Sequence, residues 1–568
     1  MVDVLTMNHR LVVVLPFAAL IMTVPEVADA APCDCDHVIE LSGEVVNGSD
    51  MGVQAGQSVC VRGGDRPFLR LQQFVGAEGQ PIEIRNCEGQ VNIDNDDKGY
   101  GLTVDESRYV RVTGSGDDEF MYGFKVRASR TGPDYSAFGV AVGGLSSDIE
   151  IDHMEIYEAG FAGVVMKTES RCDGSANLGN FVMYNSKLHH NYIHDVHGEG
   201  IYFGSTGYGG RVFQCDGQDT TLYPHEHHGA WIHDNIIENT GWDGAQIGVT
   251  PVDCAFYNNT IKNVGTAGEL YQQQGLQIGG ASACKIYNNV LMDGPTNGLF
   301  IFGAGDTQLY NNLIVNFADT GIYINDQDLN MGSRIQVAHN TVIQSGGWGI
   351  AVFGPMLGPG YVRNNAVALA AMGEIAVNGS VPDFVDEANQ IAADPATFGF
   401  VDLAGRDFHL TPTSVLRDAG VVVAEPMIAD DLDGVPRDDM PDVGAYEYSE
   451  TSTTGETSTT DDPTGEGPGS DSETEGPTSG PTSDSETGGN SAGETGVNTN
   501  GGPGSDSEGP GSASDGTDDG TAGTDAATAG EGSEGSADGC ACSSNTNAAA
   551  AWPMLLVLAA IRRRRSRA

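Results

Sequence analysis

The feature that most constrains the fold is a short motif that recurs along the middle of the chain. In each copy a glycine is followed by an apolar residue, a variable residue and a second apolar residue. The glycines are Gly101, Gly139, Gly163, Gly200, Gly244, Gly275, Gly298, Gly321 and Gly349. The shortest spacing is about 23 residues and insertions lengthen the others, which predicts stacked coils of a solenoid.

Asparagines recur in phase with these glycines, each at the start of a short apolar segment. They are Asn191, Asn235, Asn259, Asn289, Asn312, Asn340 and Asn365. Equivalent residues in successive coils of short parallel strands lie about 4.8 Å apart. Side-chain amides at that spacing can hydrogen-bond along the stack, so we expect an asparagine ladder. The long segments of 3.6-residue period that a helical solenoid needs are absent from the sequence.

The residues that carry this pattern, Asn-x-Ile followed by Gly-Ile-x-Ile, resemble the right-handed parallel β-helix repeat of the pectate-lyase-like superfamily. The fold class that we predict is therefore all-β, a right-handed parallel β-helix over residues 87–380 with a disordered acidic tail. The resemblance implies carbohydrate chemistry, and its lyase branch implies calcium-assisted β-elimination.

The segments on either side of the repeat have distinct expected roles. Residues 1–30 have the features of a signal peptide, because His9 and Arg10 precede an apolar run that ends in small residues. We expect residues 31–86 to form an amino-terminal cap and the first coils. Residues 381–448 resemble the usual terminal segment of exported β-helix domains, and we expect them to close the carboxy-terminal end of the core.

The carboxy-terminal part of the chain divides into a linker and an anchor. Residues 449–539 hold no Lys, Arg or aromatic residue and are rich in Gly, Ser, Thr and acidic residues, which predicts a disordered linker. Residues 540–568 combine Cys540, a short apolar run and an arginine cluster, and resemble the sorting signal of myxobacterial surface proteins. The resemblance implies processing and lipid attachment at Cys540 and display on the cell surface. An ordinary membrane-spanning tail is the alternative.

The formal net charge of the chain is −52, from 27 Lys plus Arg and 79 Asp plus Glu. This balance argues against a nucleic-acid partner, because phosphate binding requires cationic side chains. The expected protein is an exported monomer, held at the cell surface by its carboxy-terminal anchor, with a polysaccharide as partner. An acidic polymer would need a bridging cation such as Ca²⁺.

Eight cysteines lie between the leader and the tail, and their pairing cannot be deduced from counting alone. Cys254 and Cys284 have the same separation as Asn259 and Asn289, so we expect them at one position of adjacent coils. They form either a disulfide, which this distance allows, or a buried stack of free thiols. Cys172 and Cys215 are a second candidate pair.

Side chains alternate along a strand, so the variable residue of each motif points outward from one face. We expect the outward polar and aromatic residues of this face to bind substrate, with the rings as stacking platforms. The expected substrate-binding residues are Gln246, Gln277, Phe300, Phe302, Tyr323 and Phe353.

The residue before the glycine is acidic in two successive coils, at Glu199 and Asp243. Two carboxylates about 4.8 Å apart either share a proton or bind a cation such as Ca²⁺. Either arrangement suits carbohydrate chemistry, since paired carboxyl groups hydrolyse glycosides. For a lyase, Lys167 or His197 is the candidate base and Tyr202 the candidate proton donor. The basic pair on one strand that is usual in the family is not evident.

The sequence is compatible with three functions. The chain is a polysaccharide lyase or glycoside hydrolase, a non-catalytic glycan-binding or adhesive module, or a structural surface protein. Formation of unsaturated uronates or of reducing ends would distinguish the enzymes from the other two.

Overall fold

The computed structural model describes residues 32–131, 136–205, 207–302, 305–325, 333–353, 359–377 and 384–450. The predicted signal peptide, the acidic linker beyond Glu450, Cys540 and the anchor segment lie outside these residues. Among the residues that the structure describes, no helix has the length and apolarity that a membrane span requires.

The chain winds through three faces whose strands pair in parallel with the equivalent strands of the neighbouring coils. Faces 1 and 2 belong to one 23-stranded sheet, because Ser58–Arg66 and Ile82–Asn95 run through the corner between them, and face 3 is a separate 12-stranded sheet. The predicted parallel β-helix is thereby confirmed.

The strands of each face follow one another at the spacing of the repeat. Face 1 contains His37–Ile39, Ser58–Arg66, Ile82–Asn95, Arg108–Thr113, Ser147–Asp152, Val182–His189, Glu226–His233, Val252–Tyr257, Cys284–Tyr287, Thr307–Tyr310, Ile335–Ala338, Tyr361–Arg363 and Val385–Glu387. Face 2 adds Phe124–Ala128, Met154–Tyr157, Tyr192–His194, Ile236–Glu238, Thr260–Lys262, Val290–Gly294, Leu313–Phe317, Thr341–Ser345, Ala366–Ala370 and Gln390–Ala392. Face 3 contains Val45–Asn47, Leu69–Gln72, Tyr100–Asp105, Phe138–Gly143, Val164–Met166, Ile201–Gly204, Ala245–Gly248, Leu276–Ile278, Leu299–Phe302, Ile322–Asn325, Trp348–Phe353 and Gly373–Val377.

A few elements lie outside the three faces. They are the α-helix Gly48–Met51, the 3-10 helix Pro395–Phe398, and two antiparallel pairs, Arg211–Cys215 with Gln218–Leu222 and Phe400–Asp402 with Asp407–Leu410.

The apolar residues of the motif point into the coil and form one continuous core. In a representative coil, Ile201 and Phe203 are fully buried, and burying such a side chain stabilises the fold by about 1.5–3 kcal/mol. The glycine is required by the close approach of the next coil. A Cβ atom at Gly244 would lie 2.5 Å from both the carbonyl oxygen of Gly275 and the Cγ2 of Ile261.

The predicted asparagine ladder is confirmed at the corner between faces 1 and 2. The Nδ2 of Asn235 donates to the Oδ1 of Asn259 at 3.0 Å, and Asn259 donates to Asn289 at 3.1 Å. The backbone N–H of each asparagine donates to the same oxygen of the next coil. All seven predicted members are buried, and the ladder continues to Asn389. The ladder satisfies buried polar groups that water cannot reach.

The carboxy-terminal segment begins with the last coil that the structure describes, formed by Val385–Glu387 and Gln390–Ala392, and Phe384 packs against the main core there. Beyond this coil the segment packs on the side of the solenoid. Its apolar side chains, among them Phe398, Phe408 and Tyr446, pack on the outer surface of face 2 and form a second core there. Arg437 anchors the segment by donating to the Oδ1 of Asn311 at 3.0 Å. The segment therefore covers the side of face 2, over the strands from Val290–Gly294 to Ala366–Ala370.

Four disulfides link the described residues. Cys254 and Cys284 are bonded between adjacent coils of face 1, and the bond from Cys172 to Cys215 joins a loop to the strand Arg211–Cys215. The pairs Cys33–Cys87 and Cys35–Cys60 tie the first coils together, and the repeat does not extend far enough towards the amino terminus to predict them.

Candidate functional site

The paired acids Glu199 and Asp243 lie one coil apart at the entrance to face 3, as the repeat predicted. Their strands pair in the register Ile201 with Ala245. Both side chains are buried, with exposures of 1% for Glu199 and 0% for Asp243. The two acids are therefore enclosed by the fold and are not displayed on the surface.

The burial follows from a second polar ladder that runs through this corner. The Oδ1 of Asp243 accepts from the backbone N–H of Gln274 at 2.6 Å, and the Oε1 of Gln274 accepts from the N–H of Asn297 at 3.2 Å. The Oδ1 of Asn297 accepts in turn from the N–H of Thr320 at 3.2 Å. Asp243 is thus the first member of a ladder whose later members are neutral, and Glu199 occupies the equivalent position of the preceding coil.

Burial also determines the protonation of the pair. Burial raises the pKa of Glu199 to about 7, although the ammonium group of Lys167 opposes the shift. The pKa of Asp243 is raised well above its usual range, by burial and by the neighbouring Glu199 carboxylate. One oxygen of each acid, Oε2 of Glu199 and Oδ2 of Asp243, has no hydrogen-bond partner among the described residues. A proton on these oxygens removes the cost of a buried unpaired charge.

Lys167 and Tyr202, on neighbouring coils of face 3, contact each other. The Nζ of Lys167 is 4.2 Å from the centroid of the Tyr202 ring, and it forms an ion pair with the Oε1 of Glu169 at 2.5 Å. Both Lys167 and Tyr202 are buried, since Phe161 and the neighbouring Trp242 cover the tyrosine ring from the side. The structure thus brings Lys167 and Tyr202 together beneath the surface of face 3, and the Lys167 ammonium group is near enough to lower the pKa of Glu199 against the effect of burial.

The long insertion after Gly204 is fixed to this region by His225. The Nε2 of His225 accepts from the backbone N–H of Thr168 at 3.0 Å, and its Nδ1 donates to the carbonyl oxygen of Glu226 at 3.0 Å. Burial lowers the pKa of His225, so the ring stays neutral and keeps this donor and acceptor pattern. His225 thus links the insertion to the segment that follows the strand Val164–Met166, next to Lys167.

The outward column of face 3 changes from buried to partly exposed along its length. Gln246 and Gln277 have exposures of only 3% and 5%. Phe300, Tyr323 and Phe353 are partly exposed, and these three side chains form an aromatic patch. The Phe300 and Tyr323 rings stack with centroids 5.3 Å apart, and the Phe353 ring lies 5.9 Å from that of Tyr323.

One predicted residue, His197, does not join these groups, and a second, Phe302, is described only in its backbone. His197 is exposed in the turn before Gly198. Among the described residues its side chain forms neither a hydrogen bond nor an ion pair. Phe302 ends the strand Leu299–Phe302 and its backbone pairs with Asn325, but its side chain lies outside what the structure describes.

Sequence reasoning missed a cluster at the corner of faces 1 and 2. Over three successive coils, two adjacent positions hold Asp-His, His-His and His-Asp. We call this set the corner array; its members are Asp152, His153, His189, His190, His233 and Asp234. The ladder asparagines could have revealed it, because His189 and His233 each lie two residues before one of them.

The rings and charges of the corner array are in direct contact. His189 stacks on His233 with centroids 4.8 Å apart, and His153 stacks on His190 at 5.2 Å. In the described part of the chain, two groups of three residues bring metal-ligand atoms close together, with one atom from each residue. They are His190, His233 and Asp234, and Glu150, Asp152 and His189; neither includes Glu199 or Asp243.

Comparison with known families identifies part of the chain. Residues 220–380 match the family described as "Right handed beta helix region". No curated protein sequence matches the chain.

Solved structures with a similar course of the chain include several carbohydrate-active proteins. Pectate lyase Pel9A is 13% identical with a TM-score of 0.43, over 73% of this chain and 96% of that one. The GH136 lacto-N-biosidase from Eubacterium ramulus is 14% identical with a TM-score of 0.40, over 60% and 62% of the two chains. The A-module of the mannuronan C-5 epimerase AlgE6 from Azotobacter vinelandii is 14% identical with a TM-score of 0.30, over 62% and 97%. A likeness at this level carries no information about the reaction.

Proposed function

We propose that the chain is an exported, surface-anchored protein that binds polysaccharide at face 3. The observation that carries this proposal is the aromatic patch, in which Phe300 stacks on Tyr323 and Phe353 lies beside them. The C–H surface of a sugar ring is apolar, and an exposed aromatic ring removes it from water. The Nδ2 of Asn325 donates to the Oη of Tyr323 at 3.0 Å, which holds that ring in place.

The size of the patch supports a polymer rather than a single sugar. Its members come from three successive coils, which are spaced about 4.8 Å apart, so the patch extends roughly 10 Å along the solenoid. This length exceeds one sugar ring. A polysaccharide that runs along the solenoid axis would place neighbouring units on successive coils.

The charge of the chain favours a neutral polysaccharide. The net charge of −52 repels an acidic polymer at long range, unless a divalent cation such as Ca²⁺ bridges the two. We therefore expect neutral polysaccharides to bind without added metal and acidic ones only with Ca²⁺.

Export and surface anchoring belong to the same proposal. The four disulfides support export to an oxidising compartment, where such bonds persist. In this proposal the leader directs export and the Cys540 motif directs anchoring. Mass spectrometry of the mature chain tests this part. A first residue near Ala31 and a modified carboxy-terminal fragment near Cys540 are expected, and an intact leader with an unmodified Cys540 would contradict it.

Binding is tested with the purified full chain and a panel of neutral and acidic polysaccharides, with Ca²⁺ and with a chelator. Retention on at least one neutral polymer in the presence of chelator is expected. Absence of retention on every polymer would contradict the proposal. Comparison of the assays with Ca²⁺ and with chelator distinguishes direct binding of the polymer from binding through a bridging cation.

Cleavage is the second candidate function, and the contact between Lys167 and Tyr202 favours it. Glu199 and Asp243 are buried and have raised pKa values, so they would act through Lys167 rather than touch the polymer. If the chain is a lyase, unsaturated uronates form and Lys167→Gln abolishes their formation. Reducing ends without unsaturated products would indicate hydrolysis, and neither product would leave binding as the function.

A further inference from the structure

The corner array places metal-ligating side chains together on a surface that the proposed glycan site does not use. His190, His233 and Asp234 each offer one ligand atom, and these three atoms lie within 4.8 Å of one another. The Nδ1 of His189 is 2.9 Å from the Nδ1 of His190, so a fourth ligand atom is within reach. Because these residues lie on two successive coils, a bound ion would bridge the coils.

The turn itself does not require these residue types. The three coils that follow hold Tyr and Asn at the same two positions: Tyr257 and Asn258, Tyr287 and Asn288, and Tyr310 and Asn311. The second position has a φ of 54° in His190, Asp234 and Asn258 alike. Asparagine therefore serves this left-handed turn in the neighbouring coils, and local geometry does not explain His190 or Asp234.

Neighbouring cations do not neutralise the centre of the array. Arg111 binds Asp152 at 2.8 Å and Glu150 at 3.1 Å on the preceding coil. Within the described residues, Asp234 pairs with no Lys or Arg, and its ion-pair partner is the Nδ1 of His233 at 2.6 Å. Asp234 and its histidines thus remain available to a cation.

We propose that His190, His233 and Asp234 form a binding site for a divalent transition-metal ion such as Zn²⁺. Two imidazoles with one carboxylate are a common set for zinc, and three protein ligands leave a position open to water. Imidazole nitrogen selects zinc, copper or nickel, whereas Ca²⁺ and Mg²⁺ prefer sites built from oxygen. The ion would stabilise the junction of two coils, since it binds the folded chain and not the unfolded one.

The test is a calorimetric titration of the untagged, metal-stripped full chain with Zn²⁺, because a histidine tag would compete. We expect one high-affinity equivalent that Ca²⁺ does not displace, and a zinc-dependent rise in the unfolding temperature. His190→Asn and the double variant His233→Tyr with Asp234→Asn convert each coil to its neighbours' own residues, so they should fold. Each of these variants should bind zinc at least about 10-fold more weakly than the unsubstituted chain. Each should also lose the zinc-dependent rise in the unfolding temperature.

Glu150→Gln is the matched control, because it alters the other group of converging ligands and leaves His190, His233 and Asp234 intact. It should bind zinc as the unsubstituted chain does. The proposal is overturned if the unsubstituted chain binds no zinc. It is also overturned if the corner-array variants bind zinc with unchanged affinity, which would place the ion elsewhere, for example at the cysteines of the carboxy-terminal segment.

Discussion

Asp243 accepts a hydrogen bond from the backbone N–H of Gln274, with 2.6 Å between the Oδ1 and the nitrogen. This contact makes Asp243 a member of a buried ladder between coils rather than an acid displayed on the surface. Glu199 occupies the equivalent position of the preceding coil and shares its burial. The acid pair therefore affects first the stability of the folded chain.

Stability should fall as the pH rises through the range in which Glu199 ionises. Its pKa is about 7 in the folded chain and about 4.3 when unfolded. Between these values the folded chain holds a proton that the unfolded chain has lost, so raising the pH favours unfolding. The contribution is present in full below pH 4 and is lost by pH 7 to 8, at a cost of roughly 4 kcal/mol.

Glu199→Gln should flatten this dependence, because the amide is neutral at every pH. Urea unfolding at pH 5 and pH 8 gives the comparison, and the variant should gain stability over the unsubstituted chain only at pH 8. Glu269→Gln, at an exposed position, is the control and should leave both curves parallel. Parallel curves for Glu199→Gln as well would show that Glu199 does not titrate in this range.

The asparagine ladder should contribute strongly to stability. The Nδ2 of Asn289 donates to Asn312 and to two carbonyl oxygens, and its Oδ1 accepts from Asn259. Asn289→Ala leaves buried donors and acceptors without partners, at about 1–3 kcal/mol for each group. We expect a loss of at least 2 kcal/mol in the free energy of unfolding, measured with denaturant.

Lys285→Ala, at an exposed position on the same coil, provides the control for Asn289→Ala and should change stability by less than about 0.5 kcal/mol. Equal effects of the two substitutions would mean that the ladder amides contribute no more than a surface side chain.

The disulfide between Cys172 and Cys215 should protect the long insertion after Gly204 from proteolysis. It links the loop at Cys172 to the antiparallel pair Arg211–Cys215 and Gln218–Leu222, whose exposed strands lie outside the core. Cys172→Ser with Cys215→Ser should make residues 207–222 the first site of cleavage while the coils remain folded. Limited proteolysis with mass spectrometry measures this, and an unchanged cleavage pattern would contradict it.

The sequence predicted the path of the solenoid well because its markers are local and repeated. The glycine of each motif and the ladder asparagine each occupy one equivalent position in every coil. The stacking of Asn235 on Asn259 therefore follows from their spacing in the sequence alone. The same spacing placed Cys254 beside Cys284, and left open whether they are bonded.

The surface of the solenoid was harder to predict, because burial depends on segments that the repeat does not specify. Tyr202 is outward in register, yet Phe161, Trp242 and Lys167 cover it. The terminal segment packs on face 2 because the outward residues there, such as Leu313 and Val315, are apolar. The corner array was missed because its members are far apart in the sequence and meet only through the register of three coils.

Polysaccharide affinity of the double variant Phe300→Ala with Tyr323→Ala tests the central claim most directly. The control is Tyr257→Ala with Tyr287→Ala, which removes a stacked ring pair of similar spacing, 4.8 Å, from face 1. Affinity for a neutral polymer should fall about 10-fold or more in the face 3 variant, since each ring contributes about 1 kcal/mol, and should not change in the control. Unchanged affinity in the face 3 variant, or equal losses in both, would contradict a glycan site on face 3.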